Sequence, residues 1–344
     1  MKTIDLNQIA EDELLSLRIR DLPLRIEGTW LRDCIDQVYK ELEAKAISFK
    51  PECYLADEWL TPENQPVIGI PFYLAHPALI RLEKKMMLEA EGESVAECMR
   101  LLRHETGHAL CYAYRLNRKQ KFRRLFGSSS AEYAETYRFR PYSKRYVRHL
   151  EGFYAQYHPD EDFVETFAVW LTPGLDWQAQ YRGWPALKKL QYVDEVMRSI
   201  SGKQPFLKKG KKFWRFKSIK RTLRSFYQKK QRLRAEDFPD FHDNNLRRIF
   251  GDHPPDTVPK FLAADFLRQH RNEIIREISL WTGEKKYVVN DLLKKVSQRC
   301  RDLRLAVHQP EHIVMMRVVT YLTTLILNYL YTGWYRGDHK RRGI

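Results

Sequence analysis

Between Leu101 and Tyr114 the chain reads LLRHETGHALCYAY, and this stretch limits what the rest of the sequence can fold into. Its pattern is helical, and it sets His104 and His108 four residues apart with Glu105 between them, the motif HExxH. Side chains four apart on an α-helix project from one face, so the two imidazoles can reach one ion while Glu105 leans toward the water which that ion holds. Neutral imidazole suits zinc, and zinc lowers the pKa of its water enough for a nearby carboxylate to make it a nucleophile near pH 7. Two histidines from one helix do not complete a catalytic zinc site, which takes three protein ligands and an open position. Chance supplies the motif in roughly one chain of this length in a hundred, so the argument turns on a second element that brings the missing ligand.

The candidate lies downstream, in EGFYAQYHPDEDFVETFAVWL from Glu151 to Leu171. Pro159 followed by Asp160, Glu161 and Asp162 reads as a helix start, because the helix dipole favours acids in the first turn. Glu161 and Glu165 are four apart and share a face. In a gluzincin pattern the first carboxylate is the third zinc ligand, and the one a turn later hydrogen-bonds a ligand histidine and fixes its ring. The plainer alternative is ordinary acidic charge at a helix start. His158 is read as a helix cap or a substrate contact.

From about Ser94 to Thr172 the chain resembles the bacterial putative zinc-binding metallopeptidase family, whose members join an HExGH helix to a later segment of the form YAxxHPxEDxxETxA. Here these are His104-Glu105-Thr106-Gly107-His108 and Tyr154-Ala155 through Thr166-Phe167-Ala168, with Phe126-Gly127 between them. The spacing is also similar to the catalytic end of anthrax lethal factor. That resemblance implies a zinc metallopeptidase: one Zn2+ held by His104, His108 and Glu161, with Glu105 as general base, Glu165 orienting a ligand and Tyr154 as electrophile. For Tyr154 a packed aromatic is the alternative. The chain departs from some members of the family, with Ser128-Ser129-Ser130 in place of an acidic-basic cluster and no cysteine zinc ribbon.

The expected fold class is α+β, mostly helical: a zincin-like catalytic domain with a small β-sheet and the HExxH helix, then a helical C-terminal domain. Residues 1–27 form a lead-in segment, 28–202 the catalytic domain, 203–234 a basic linker and 235–344 the C-terminal domain. A helical stripe runs through Trp30, Cys34, Val38 and Leu42, and β-prone segments follow at Ala46–Tyr54 and Pro66–Leu74. In the second of these, PVIGIPFYL is expected as an edge strand along which a substrate can lie. Ser94 through Glu97 has the form of a capping box ahead of the HExxH helix. The C-terminal region reads as helices at about Lys260–Thr282, Lys286–His308 and Glu311–Tyr331, with a stop at Trp281-Thr282-Gly283.

Charge sets the remaining expectations. The net charge is +16, and KQPFLKKGKKFWRFKSIKRTLRSFYQKKQRLR, residues 203–234, carries most of it without a single acid. Cations interleaved with Phe213, Trp214, Phe216, Phe226 and Tyr227 suit phosphate contact with base stacking, or an acidic partner, through Lys211, Lys212, Trp214, Arg215, Lys217, Lys220, Arg221 and Arg224. The alternative is a solvated linker whose aromatics pack on a neighbouring domain. Five scattered cysteines without a CxxC pair suggest a reducing compartment, and the acidic N-terminal stretch lacks an export signal, so a cytoplasmic protein is expected. His312–Tyr331 is read as a buried helix and not a membrane span. The function expected is hydrolysis of a peptide or protein amide. The rivals are a nucleic-acid or acidic-partner binding protein with a structural or inactive zinc site, and a zinc amidase acting on a non-protein amide.

Overall fold

A computed structural model describes residues 5–87, 89–132, 140, 142–231, 242–252 and 261–332. They divide into two compact units, the first ending at Tyr227 and the second formed mainly by the residues beyond it. The boundary expected between residues 234 and 235 lies outside the described residues. The chain is mostly helical with small two-stranded sheets, consistent with an α+β class.

The first unit is built around the HExxH stretch. Helix α1 (Trp30–Ala44) buries Cys34, Val38 and Leu42, while Trp30, half-buried, donates its indole N–H to the carbonyl of Leu74 at 3.0 Å. Helix α2 spans Pro77–Met87 and helix α3 spans Val95–Ala113. The Ser94 hydroxyl accepts the Glu97 N–H at 3.2 Å, so α3 begins at the cap the sequence marks. Arg103 of α3 grips Glu41 of α1 through two bonds of 2.8 Å, with both side chains largely withdrawn from solvent. Helices α4 (Pro159–Leu171) and α5 (Leu187–Ile200) follow, and α4 is buried along nearly its whole length.

Helices α3 and α4 approach closely at Gly107. A β-carbon there would stand 2.9 Å from Val164 Cβ and 3.1 Å from Val164 Cα, and the latter is backbone and unable to turn aside. Glycine in mid-helix costs about 1 kcal/mol in propensity, and the contact explains why it is tolerated. We expect Gly107→Ala to lose more in overpacking, about 1–3 kcal/mol, than it gains in propensity. Urea titration should therefore show net destabilisation; a stabilised variant would mean that the two helices separate without cost.

Strands β1 (Glu52–Ala56) and β2 (Val67–Pro71) are parallel, from Glu52 opposite Val67 to Ala56 opposite Pro71. The expected edge strand is therefore not open. Leu60 exchanges both backbone hydrogen bonds with Gly69 on the far side of β2, at 3.2 and 2.8 Å, and all of β2 is buried. Glycine permits this, since a β-carbon at position 69 would lie 2.4 Å from Leu60 Cδ2.

The lead-in and basic segments also differ from expectation. Leu14, Leu15, Ile19, Leu22, Leu24 and Ile26 are core residues. Residues 17–20 pair antiparallel with 219–223, the Ile19 N–H meeting the Arg221 carbonyl at 3.1 Å and the Leu223 N–H meeting that of Leu17 at 3.0 Å. The supposed linker thus belongs to the first unit as far as Tyr227. Phe216, Ile219, Leu223, Phe226 and Tyr227 turn inward at spacings of three, four, three and one, while the cations between them face out.

The second unit has helices α6 (Ala263–Gln269), α7 (Arg271–Thr282), α8 (Lys286–Asp302) and α9 (Glu311–Thr332), around Phe266, Ile274, Ile278, Val289, Val296, Val314 and Leu322. Strands β3 (Gly251–Asp252) and β4 (Leu305–Ala306) add a short antiparallel pair. The first expected helix is split at His270, and α7 stops at Gly283, whose φ of 71° supplies the left-handed residue of a helix end. Among the described residues no helix is long and apolar enough to cross a membrane. The stretch read as His312–Tyr331 falls in α9, which buries Val314, Val318, Leu322, Leu325 and Ile326.

Candidate metal centre

Helix α3 supplies two imidazoles and α4 faces them with two carboxylates. Glu161 Oε2 lies 3.1 Å from His104 Nε2 and 3.3 Å from His108 Nε2. One ligand atom from each of these three buried residues lies within 4.8 Å of the others, the arrangement of a group able to hold a metal. Zinc takes nitrogen and oxygen ligands about 2.0–2.2 Å away, and tetrahedral angles then set neighbouring ligands roughly 3.4 Å apart. The two separations from Glu161 are close to that spacing.

Glu165 stands one turn behind Glu161. Its Oε1 is 2.8 Å from His104 Nδ1, and its Oε2 accepts the Leu150 N–H at 2.8 Å, so both oxygens are engaged. A proton on Nδ1 turns Nε2, the nitrogen that faces Glu161, into the lone-pair donor that a metal needs. Glu105 is 7% exposed, and its Oε2 has no hydrogen-bond partner among the described residues. The backbone carbonyl of Glu105 accepts from the Thr61 hydroxyl at 3.1 Å, which ties the motif to the loop between β1 and β2.

Charge at the site is strongly coupled. Burial opposes ionisation of Glu161, but His108 and His104 outweigh it and hold this carboxyl below the usual carboxylate range. Burial pushes Glu105 up, and the two histidines only partly offset it. Burial likewise opposes a charged His104, yet the hydrogen bonds it donates to Glu161 and Glu165 carry its pKa well above the ordinary value.

Tyr154 lies in the 3-10 turn Glu151–Gln156, half-buried, its ring centre 5.6 Å from that of His104. Burial, then the charges of Glu161 and Glu105, raise its pKa, so the hydroxyl keeps its proton. His158 is the cap of α4: Nδ1 accepts the Asp160 N–H at 3.1 Å and Nε2 donates to the Ala131 carbonyl at 2.9 Å. Both ring nitrogens are thus engaged, in accord with the capping role. Tyr112 was not anticipated, although it follows His108 by four residues; its ring stacks on that of His108 at 6.2 Å and 25°. The Ser129 hydroxyl donates to Asp160, bringing the serine run against the start of α4.

The basic segment is not gathered at this centre. Lys212 pairs with Glu52 at 2.5 Å, Lys217 donates to the carbonyls of Arg20 and Leu22 at 3.1 and 3.2 Å, and Arg224 reaches Asp12 at 3.0 Å. The Lys211 N–H donates to Gln65 at 2.7 Å, and Arg215 bridges to Ala56. Phe216, Phe226 and Tyr227 are buried in the first unit and so are unavailable for base stacking. Phe213 and Trp214 are 42% and 58% exposed, and Lys211, Arg215, Lys220 and Arg221 are exposed as well.

No curated protein and no solved structure matches the chain. Residues 81–178, which contain α3 and α4 whole, match the model of the family described as Putative zinc-binding metallo-peptidase.

Proposed function

We propose that the chain is a zinc-dependent metallopeptidase of gluzincin type, hydrolysing a peptide or protein amide, with His104, His108 and Glu161 as the protein ligands of one zinc. The observation that carries this reading is the convergence of those three ligand atoms within 4.8 Å, beside the buried carboxylate of Glu105. When bound, the zinc supplies Lewis acidity toward the scissile carbonyl and lowers the pKa of the attacking water. Glu105 takes the proton of that water and returns it to the leaving amine, and a carboxyl pushed upward by burial suits both tasks. Tyr154, kept protonated, donates to the oxygen on which negative charge develops.

Glu165 acts through His104 by holding the Nδ1 proton. Glu165→Gln should weaken zinc affinity about 10- to 100-fold, measured by competition with a chelator. Unchanged affinity would reduce the 2.8 Å contact to packing.

The reading as a whole is tested by N-terminal profiling of a proteome treated with the wild-type protein or with Glu105→Gln. New peptide termini that appear only with the wild type support a peptidase. A zinc-loaded protein that generates none is not a peptidase of these proteomes, and a non-protein amide becomes the substrate to test. The exposed cations and the Phe213–Trp214 pair, whose ring centres are 5.9 Å apart, form an accessory surface for an acidic partner in this reading. Five free thiols accord with a cytoplasmic setting.

A further inference from the structure

A second site lies in the first unit, at the C-terminal end of α3. A cleft of about 390 Å³ opens there, lined by Tyr114, Arg115, Arg118, Lys119, Lys203 and Phe206, with Ser199 and Ile200 from the end of α5. Its volume is that of a small-molecule pocket. Four cations border it, and none is ion-paired with a described carboxylate, whereas nearby Lys121 is paired with Glu195.

The four cations are solvent-exposed, so water screens much of their repulsion, but an anion seated in the cleft would meet them without breaking an ion pair. The end of α3 does not supply that anion. Its Ala113 carbonyl already accepts the N–H groups of Phe206 and Leu207 at 2.9 and 3.1 Å, and the Tyr114 hydroxyl donates to the Lys203 carbonyl at 3.0 Å. These bonds fix residues 203–207 as one wall of the cleft. Arg115 borders the cleft from the end of α3. It adopts the left-handed conformation, with φ 52° and ψ 42°, at a helix end where glycine is the usual residue. That backbone is strained in a residue with a side chain, and the guanidinium is laid over the Phe206 ring at 5.3 Å.

We propose that this cleft binds a phosphate-bearing small molecule, with Arg115, Arg118, Lys119 and Lys203 taking the phosphate and Tyr114, Ile200 and Phe206 the less polar part. Two guanidinium forks with two ammonium groups match phosphate oxygens, and a cleft of this size fits a compact ligand better than an extended acidic chain.

The test is isothermal titration of the full chain with inorganic phosphate, AMP and adenosine at fixed ionic strength, on the wild type and on the double variant Arg118→Glu with Lys203→Glu. Both positions are exposed, so the variant should fold, as checked by circular dichroism. Phosphate and AMP should each bind at one site, the double variant should weaken both at least about tenfold, and adenosine alone should not bind. AMP much tighter than phosphate identifies a nucleotide-like ligand, while equal affinities identify the phosphate group itself. The inference is overturned if neither saturates, if the charge-reversed variant binds as well as the wild type, or if an oligoglutamate peptide binds while both phosphates do not.

Discussion

The double change His104→Ala with His108→Ala should remove the metal altogether, taking the zinc measured in the purified protein from about one ion per chain to none. Two of the three proposed ligands come from α3, and Glu161 alone offers a single carboxylate where a catalytic zinc requires three protein groups. The same change strips Glu161 of the histidines that hold it ionised against burial. Leaving a buried charge without its partner costs about 3–5 kcal/mol, so the metal-free variant should also melt earlier than the metal-free wild type. The α3–α4 contact at Gly107, Val164 and Phe167 is apolar and untouched, so the far-UV spectrum should stay helical. Full metal retention in a folded double variant would place the ion somewhere other than between α3 and α4.

Glu105→Gln should separate holding the metal from using it. The amide has nearly the shape of the carboxylate, and the one contact that anchors position 105 to the β1–β2 loop runs through the backbone carbonyl, which the substitution leaves in place. Zinc content and melting temperature should therefore stay close to wild type. Turnover of any peptide found by terminal profiling should fall by about 10²- to 10⁴-fold, the usual contribution of a positioned base. That corresponds to about 3–5 kcal/mol in the barrier. Undiminished turnover would show that another group takes the proton of the water.

How far the sequence could be read depended on how far apart the partners lie. The HExxH face, the Ser94 cap, the acidic start of α4 and the Gly283 stop each rest on contacts within about one helical turn, so spacing alone reveals them. Pairing Glu161 with the two histidines joined positions more than fifty residues apart, and motif resemblance suggested it, not periodicity. Contacts with no motif were missed. Leu60 folding back on Gly69 closed a strand that read as an edge, because glycine in a strand marks close backbone approach without naming what approaches. For the basic stretch the alternative of aromatics packing on a neighbour accords with buried Phe216 and Phe226, while Ile219 and Leu223, at helix-like spacing between them, carried no such signal of their own. Tyr112 was equally visible at four residues from His108, and an i, i+4 search for ring partners would have found it.

The pairing of residues 17–20 with 219–223 bears on when the first unit can become complete as the chain is made. Leu14 through Ile26 are synthesised roughly two hundred residues before the segment that pairs with them. Until Tyr227 has left the ribosome this edge of the core remains uncovered, and contacts of such long range make folding slow. A nascent chain would therefore carry both halves of the candidate metal centre before the fold around them is sealed, and a truncation beginning at residue 28 would leave the seam permanently open.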